Sequence, residues 1–378
     1  MVSHKNICFV ATVDSAVSAF LLVHLKELSK YYKITVIVNT KNIFFLENIS
    51  NDILVKPVKF SRKINILNDM YCFLWLTFFL LKEDFEAVHS ITPKAGFLAM
   101  LASFIAKVPV RIHTFTGQVW VTRNGLSRFF LKLCDKCIGR LTSYNFVDSI
   151  SQRDFLIREG VISFSRSIVF GSGSVSGVDL KKFKRNKKFS HEIRDQLHIP
   201  RNAFVFLYLG RLNKDKGIFD LARAFTYIQD PDVYLIFVGS DEGDCVEKIN
   251  FITSKKSSKI KFFGFTKKPQ QFLSASDVIC LPSYREGFGN VIIEAAAMGV
   301  PALASNIYGI SDAVIHNKTG LLHSPGSYQN IFECLEFFIK NPDTVKSFGK
   351  LAKTRAIKEF DSDLMTACWV DFYKNHIH

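Results

Sequence analysis

Short apolar runs alternate with helical patterns along this chain, and this alternation is the feature that most restricts its fold. Strands are expected at 6–11, 33–38, 87–90, 110–115, 144–149 and 167–170. Helices are expected at 18–30, 95–107, 126–141 and 152–158. Short apolar strands separated by helices favour parallel sheets that helices cover on both faces.

The alternation stops near Gly171, where the sequence GSGSVSGVD leads into a basic run at 181–188. We interpret that run as a solvated loop. A second series of strands then follows at 203–209, 233–238, 261–263, 278–281 and 301–304. We therefore predict an α/β protein with two Rossmann-like domains that face each other across a cleft. The predicted domains are 1–175 and 176–359, with a C-terminal helix at about 360–378 that packs back on the first.

The net charge of +15 is compatible with nucleic acid, anionic lipid or phosphorylated molecules as partners. The basic residues are dispersed, and no RNP, KH or helix-turn-helix signature is visible. A basic nucleic-acid-binding protein is thus the weakest interpretation, and we expect no nucleic-acid partner.

The eight cysteines show no repeated metal-ligand spacing, so we interpret them as reduced thiols of a cytosolic protein. The N-terminus lacks the apolar core of a signal peptide. The apolar stretches 70–81 and 96–106 are shorter than the ~20 residues that cross a bilayer. We expect a cytoplasmic protein without a membrane-spanning helix.

No cofactor or metal is expected. Two Asp-x-Asp pairs occur, at 230–232 and 361–363. The first precedes an expected strand, and the second resembles the start of a helix. A metal-dependent transferase would instead need such a pair after a strand.

A phosphate site is indicated by LGRLNKDKG at 209–217, which leaves a strand and enters a helix. Ligands of open α/β sheets collect beyond the carboxyl ends of the strands. Gly210 begins this loop, and Arg211 and Lys216 lie on it. The planar guanidinium of an arginine and the mobile charge of a lysine suit a diphosphate. Two surface cations beside a turn would give the same sequence pattern.

A second site is indicated by PSYREGFGNVIIEAAAMGVP at 282–301. Its loop glycines would let backbone amides approach a phosphate at the start of a helix, with Asn290 as the expected N-cap. Glu286 lies in the loop and Glu294 in the helix. Because the neighbours of Glu294 are apolar or small, this carboxylate needs a partner. The expected donor-binding residues here are Glu286, Gly287, Phe288, Gly289, Asn290 and Glu294.

The segment FFGF at 262–265 ends another expected strand. Gly264 and Phe265 would wall a base pocket or form a simple strand-end turn, and the sequence leaves both interpretations open.

These motifs resemble those of glycosyltransferase family 4, the retaining GT-B enzymes, in particular the members that build bacterial surface polysaccharides. The matching pieces are GRLNKDKG, the Glu-x7-Glu spacing, SGVDLKKF at 176–183 and ITPKAGFLAMLASFIAKVPVRIHTFTG at 91–117. The resemblance implies that Arg211 and Lys216 hold the donor diphosphate. It also implies that Glu286 contacts the transferred sugar and Glu294 the ribose.

The first half departs from that pattern at two points. The loop after the first strand reads Ala-Thr-Val-Asp-Ser at 11–15 instead of carrying a Gly-Gly pair, which leaves Asp14 and Ser15 as acceptor-side candidates. In RIHTFTG, Thr116 precedes Gly117 where the family often has a histidine. We take Thr116 and Gly117 as acceptor-side residues. His113 is a candidate catalytic residue, with a core histidine as the alternative.

The resemblance implies a retaining, metal-independent hexosyltransferase that uses a nucleotide sugar, expected to be UDP-linked. Its expected acceptor is a lipid-diphosphate-linked saccharide, as in capsule or lipopolysaccharide assembly. A sugar-nucleotide 2-epimerase of the same architecture is the alternative. An anionic membrane surface is a further expected partner, which would make the protein peripheral at the inner face of the cytoplasmic membrane.

The helix expected at 126–141 suggests how such contact would arise. Its apolar residues recur at three- and four-residue steps, and a basic flank carries Arg128, Lys132, Lys136 and Arg140. Two interpretations stay open. Either the apolar face packs in the core and the basic flank is simply solvated, or that flank rests on anionic lipid.

Overall fold

The computed structural model describes residues 5–50, 52–61 and 64–377. The chain divides into two compact units. Unit 1 comprises 1–176 and 362–378, and unit 2 comprises 177–361. The ends of the predicted first domain and of the predicted C-terminal helix, 1–4 and 378, lie outside the described residues.

Unit 1 is built on a seven-stranded parallel sheet in the order β3-β2-β1-β4-β5-β6-β7. Strand β1 is therefore flanked by β2 and β4, and the strand order changes direction there. The strands are β1 (Asn6–Val13), β2 (Lys33–Asn39), β3 (Ile53–Pro57), β4 (Ala87–Ile91), β5 (Val110–Phe115), β6 (Tyr144–Val147) and β7 (Ser167–Ile168).

Helices cover both faces of this sheet. They are α1 (Asp14–Phe20), α2 (Leu22–Leu28), α3 (Ile66–Lys82), α4 (Pro93–Ile105), α5 (Gly125–Leu141), α6 (Ile150–Arg158) and, from the end of the chain, α15 (Ser362–His376). Side chains of α1, α2 and α15 share one core with alternate strand residues such as Phe9 and Val36. Side chains of α3, α4, α5 and α6 share the other core with Cys8 and Val10. This division follows from the period of two in a strand, which sends neighbouring side chains to opposite faces.

Unit 2 repeats the architecture with a six-stranded parallel sheet in the order β10-β9-β8-β11-β12-β13. Its strands are β8 (Phe204–Leu209), β9 (Val233–Val238), β10 (Ile260–Phe263), β11 (Val278–Leu281), β12 (Ala302–Ser305) and β13 (Gly320–His323). Its helices are α7 (Lys187–Gln196), α8 (Ile218–Phe225), α9 (Cys245–Ile252), α10 (Pro269–Ala275), α11 (Asn290–Ala297), α12 (Ile310–Ala313), α13 (Tyr328–Lys340) and α14 (Pro342–Glu359). Two cores, one on each face, hold the helices to the sheet.

The prediction of two parallel α/β sheets is confirmed, with local corrections in unit 1. Strand β3 and helix α3 were not expected. The predicted helix at 18–30 begins earlier, at Asp14, and is interrupted at Leu21, which separates α1 from α2. Helix α3 escapes the periodicity rule because apolar residues occupy its outer as well as its inner face, so no helical period stands out.

Helix α3 has 17 residues, of which only Asp69 and Lys82 are charged. Among the described residues, no helix combines the length and the apolar character needed to cross a membrane.

The expected orientation of α5 is wrong. Leu126, Phe129, Phe130 and Leu133, which were expected on the core side, are exposed by 41–76%. The buried side carries Asp135 and Gly139 together with Ile138, which is the residue of the expected apolar face that is fully buried. Asp135 accepts a hydrogen bond of 2.8 Å from Nε1 of the buried Trp120, and burial raises the pKa of this carboxyl to about 7.

Two residues of the expected basic flank of α5, Arg128 and Lys132, are engaged within unit 1. Lys132 forms an ion pair with Glu159 at 2.5 Å. Arg128 and Lys132 both lie over the ring of Trp120, at 5.6 and 5.4 Å from its centroid. Trp120 therefore turns these two cations inward and the apolar residues outward, a tertiary preference that helical spacing alone does not reveal.

Candidate functional site

The predicted phosphate loops of unit 2 lie at the point where its strand order changes direction. Strand β8 is paired with β9 on one side and with β11 on the other. The segment 210–217 follows β8 and the segment 282–290 follows β11, so both leave the carboxyl edge of the sheet from adjacent strands. In open α/β sheets this is the place where ligands bind.

The two loops touch through backbone. Gly217 has φ +64°, and a Cβ atom there would lie 1.9 Å from the carbonyl oxygen of Pro282. The amide of Tyr284 donates to the carbonyl of Asp215 at 2.9 Å, and Arg285 Nε donates to the Asp215 carboxylate at 3.1 Å. Only glycine permits this approach, so the loop after β8 and the loop after β11 form one cluster.

Lys216 and Glu286 meet in that cluster. Lys216 Nζ lies 2.5 Å from Glu286 Oε1, and the buried Ser283 hydroxyl donates to the same oxygen at 2.9 Å. Both charged side chains are more than four-fifths shielded from solvent. The structure thus brings together two of the predicted catalytic residues, and it adds Ser283 as the group that orients the carboxylate.

Arg211, the third predicted catalytic residue of unit 2, is engaged by a residue that the sequence did not single out. Its guanidinium lies 2.9 Å from a carboxylate oxygen of Glu242, which follows β9. Asn213 Nδ2 donates to that same oxygen at 3.1 Å. The sequence feature that could have indicated Glu242 is an acidic residue shortly after the strand predicted at 233–238. Both cations assigned to phosphate are therefore paired with carboxylates in this structure.

The turn between these loops and α11 differs from expectation in two respects. Asn290 is the first residue of α11 and not its N-cap; the cap is Gly289, with φ +83°. Phe288 is buried, and its ring packs edge to face against that of Phe360, with 5.3 Å between the ring centroids. Its side chain therefore belongs to the core. Gly287 to Asn290 can still present backbone amides at the start of the helix, where an anion is favoured.

Glu294 lies in the second turn of α11 and is partly buried. Burial raises the pKa of its carboxyl to about 7, with the positive charge of Lys182 acting in the opposite direction. Among the described residues it has no hydrogen bond or ion pair. A poorly solvated carboxylate is a strong acceptor for a pair of hydroxyl groups.

Gly264 and Phe265 follow the edge strand β10, two strands away from β8. Both are exposed, and Phe265 is 68% accessible. The structure does not bring them into the cluster of Arg211, Lys216 and Glu286.

In unit 1, a pair of threonines marks the change of strand order between β1 and β4. Thr92 follows β4 with φ +79° and ψ +140°, a conformation that a β-branched residue rarely adopts. Its hydroxyl lies 2.7 Å from that of Thr12 and accepts a hydrogen bond from the Thr12 amide. Neither threonine was predicted as a site residue. The Thr-Pro step at a strand-to-helix junction was the available signal.

The predicted acceptor-side residues lie at the same edge of the sheet. Asp14 and Ser15 are the first residues of α1 and not part of a loop, and Asp14 accepts a hydrogen bond from Thr40 at 3.0 Å. Thr116 and Gly117 follow β5, which is separated from β1 by β4. Two glutamine side chains, Gln118 and Gln152, donate to the Thr116 carbonyl and fix that loop.

His113 does not join these residues. It is buried within β5, its Nδ1 lies 2.8 Å from the hydroxyl of Ser90, and its ring packs against Gly96 of α4. Burial lowers the pKa of its imidazole to about 3. His113 is therefore a core histidine, which was the alternative interpretation. Its assignment as a catalytic residue is corrected.

Among the residues that the structure describes, no group of three or more His, Cys, Asp or Glu is arranged to hold a metal ion. Asp230 and Asp232 form a turn that precedes β9. The pair at Asp361 and Asp363 stands at the start of α15.

Residues 189–355, which include Arg211, Lys216, Glu242, Glu286 and Glu294, match the sequence profile of the family described as glycosyl transferases group 1. The chain is 29% identical over 315 residues to the capsular polysaccharide biosynthesis glycosyltransferase CapM of Staphylococcus aureus, covering 82% of each protein. It is 30% identical over 271 residues to the UDP-Gal:alpha-D-GlcNAc-diphosphoundecaprenol alpha-1,3-galactosyltransferase of Escherichia coli, covering 69% of this chain and 68% of that enzyme.

The fold is also that of known structures. The Anabaena protein Alr3699/HepE, solved in complex with UDP and glucose, superimposes with a TM-score of 0.83 at 20% identity, over 98% of this chain and all of the other. The predicted fold class, two Rossmann-like α/β domains of the GT-B type, is confirmed.

Proposed function

The chain belongs to the glycosyl transferases of group 1, as its identity to an Escherichia coli galactosyltransferase shows, and we propose that it is a retaining family 4 enzyme. The enzyme moves a hexose or N-acetylhexosamine from a UDP-linked donor to a lipid-diphosphate-linked saccharide in surface-polysaccharide assembly. The observation that carries this proposal is the cluster of Arg211, Lys216 and Glu286 at the point of unit 2 where the strand order changes.

The donor diphosphate is assigned to Arg211, Lys216 and the amides of 287–290. In the absence of donor, Glu242 and Glu286 neutralise the two cations. A diphosphate would take over these contacts, because its oxygens offer the same charge-assisted hydrogen bonds with more negative charge. Glu286 would then turn to the hydroxyl groups of the transferred sugar, and Glu294 would accept from the ribose.

The reaction breaks the bond between the anomeric carbon and the diphosphate oxygen and forms a bond to an acceptor oxygen on the same face. The two cations and the helix N-terminus stabilise the charge that develops on the leaving diphosphate. The acceptor proton passes to that diphosphate, so the reaction needs no protein nucleophile. It also needs no metal, because Arg211 and Lys216 supply the positive charge.

Names of relatives support the donor and acceptor classes. One of them acts from UDP-galactose on a diphosphoundecaprenol-linked sugar, and the Anabaena structure contains UDP and glucose. If the acceptor is of this kind, the enzyme would work in the cytoplasm at the inner face of the membrane.

The test is a screen of nucleotide sugars against lipid-diphosphate-linked saccharides, read out by product mass. We expect one UDP-sugar to add a single hexose or N-acetylhexosamine to the acceptor. Conversion of a donor into its C2 epimer without acceptor would contradict the proposal in favour of a 2-epimerase.

A further inference from the structure

The outer face of α3 is apolar along its whole length. Its side chains there are 52–85% exposed, in helical steps that place them on the side away from the core: Ile66, Leu67, Met70, Tyr71, Leu74, Phe78 and Leu81. The inner side of the helix is apolar too, with Cys72, Leu76 and Leu80 buried. A helix that is apolar all round is normally buried on every side, so this outer face lacks its covering.

Helix α5 contributes a second exposed apolar ridge. Leu126, Phe129 and Phe130 lie on its first two turns and are 58–76% exposed. Helices α3 and α5 both pack against α4 and share one core on one face of the unit 1 sheet. The C-terminal end of α4 adds the exposed Phe104 and Ile105. We call this layer of outward-facing apolar side chains the apolar face of unit 1.

Cations border the apolar face. Lys59 is exposed beside the start of α3, where its carbonyl accepts a hydrogen bond from Asn68 at 2.9 Å. Lys82, Lys107 and Arg123 are exposed at the end of α3, after α4 and before α5.

The acidic side chains around this face offset those cations only in part. Asp69 of α3 is held by Lys94 at 2.8 Å. Glu83 and Asp84, directly after α3, are exposed. The border of the apolar face is therefore net positive.

We infer that the apolar face of unit 1 inserts into the surface of an anionic lipid bilayer. An apolar surface bordered by cations is the arrangement that binds the headgroup and acyl boundary of a membrane, because it gains from both burial and charge. A second copy of the chain suits it less well. A two-fold contact would bring the same positive borders face to face.

The choice of a bilayer as the partner rests on the proposed lipid-linked acceptor. The exposure of the apolar face is a feature of the structure and does not depend on that proposal. This contact also replaces the basic flank of α5 as the membrane element, since Arg128 and Lys132 lie over Trp120. The apolar side chains, and not those cations, make the principal contact.

Co-sedimentation of the full chain with vesicles tests this inference. The vesicles contain phosphatidylcholine with or without phosphatidylglycerol, and neither donor nor acceptor is added. The α3 variant carries Leu67→Gln, Leu74→Gln and Phe78→Gln. The matched control makes the same type of change at three exposed apolar residues elsewhere, Phe251, Leu351 and Leu364, which are 46–84% exposed. The thermal unfolding of both variants is compared with wild type.

We expect wild type and control to bind the phosphatidylglycerol vesicles and the α3 variant to bind at least tenfold more weakly. Equal binding by the α3 variant, or no binding by wild type, would overturn the inference. So would a dimer in sedimentation velocity without vesicles that the α3 changes dissociate. Transfer to a water-soluble acceptor is measured separately and should not change in the α3 variant, so a failed transfer assay speaks only against the proposed function.

Discussion

At the scale of single residues, the site of unit 2 is defined by how its charges are paired. Arg211 is bound by Glu242 in an ion pair whose side chains are 50% and 36% exposed, whereas Lys216 and Glu286 are 18% and 16% exposed. A solvated pair contributes little free energy, so Arg211 is easily released to a ligand. The shielded pair is stronger, and Ser283 also holds Glu286, so the donor must supply more free energy to take Lys216 from Glu286 than to take Arg211 from Glu242.

We expect Arg211→Ala and Lys216→Ala each to weaken UDP binding about tenfold to a hundredfold. Loss of one charge-assisted hydrogen bond costs about 1.5–3 kcal/mol. Glu242→Gln should strengthen UDP binding by up to about fivefold, because its exposed ion pair with Arg211 contributes at most about 1 kcal/mol. Isothermal titration measures all three variants.

Arg201→Ala is the control for that experiment. Arg201 is 51% exposed and forms a comparable ion pair with Asp195, so its loss should leave UDP binding unchanged. Wild-type affinity in an Arg211→Ala/Lys216→Ala double variant would remove both residues from the phosphate site.

The carboxyl group of Glu294 should make the KM for the donor depend on pH. Because burial raises the pKa of its carboxyl to about 7, the free enzyme loses the charged, accepting form as the pH falls below 7. The KM for the donor should therefore rise by up to about tenfold per pH unit below pH 7 and level off above it. In Glu294→Gln this dependence should vanish and the KM should be high throughout. Glu336→Gln should behave as wild type, because the Glu336 side chain is 41% exposed and pairs with Lys340 on α13. A pH profile that Glu294→Gln leaves intact would show that another group titrates.

At the scale of secondary-structure elements, the candidate site depends on backbone contacts between the segments that follow β8, β9 and β11. Gly239 has φ +151°, and a Cβ atom there would lie 1.9 Å from the Gly210 carbonyl. The Gly217 contact with Pro282 is equally close. These glycines hold Arg211, Glu242 and the Lys216–Glu286 pair in fixed relative positions.

Gly217→Ala should break this arrangement. The new Cβ would collide with a carbonyl oxygen in addition to straining the backbone, so we expect a loss of about 2–4 kcal/mol of stability and much weaker UDP binding. Gly125→Ala is the matched control, since Gly125 has φ +58° with no atom within 4 Å of the added Cβ. It should lose about 1 kcal/mol. Chemical denaturation compares the two, and equal losses would show that the contact with Pro282 contributes nothing.

The sequence predicted strands well where turn residues bound a short apolar run, and it failed for two helices of unit 1. Strands β8 and β9 were located to within a residue, since turn residues bound an apolar run that is buried throughout in β9 and at its four central residues in β8. Helix α3 was missed because it is apolar all round. Helix α5 was located but turned the wrong way, since spacing cannot show that Arg128 and Lys132 lie over Trp120.

The candidate site divides in a similar way. Arg211, Lys216 and Glu286 could be selected because glycines and strand ends surround them in the sequence. Glu242 and Thr92 carry weaker signals, an acidic residue after a strand and a Thr-Pro step, and their significance emerges only from neighbouring strands that are distant in the chain. His113 illustrates the opposite error. A histidine near a strand end suggests chemistry until its packing against Gly96 is seen.

At the scale of the whole molecule, two parallel sheets supply two carboxyl edges, each with its own cluster of polar residues where the strand order changes. In unit 2 that cluster carries cations and carboxylates. In unit 1 it carries Thr12, Thr92 and Asp14, a neutral or acidic set suited to saccharide hydroxyls. This difference fits the proposed transfer, in which unit 2 would bind the donor diphosphate and unit 1 the saccharide hydroxyl groups of the acceptor.

The anomeric configuration of the product tests the central claim most directly. Purified protein is incubated with the UDP-sugar and lipid-diphosphate-linked acceptor found in the screen, in the presence of EDTA, and the new linkage is examined by NMR as soon as it forms. We expect a product whose anomeric configuration is that of the donor, formed without added metal because Arg211 and Lys216 neutralise the leaving diphosphate. An inverted linkage, or a product that forms only when a divalent cation is restored, would contradict the account.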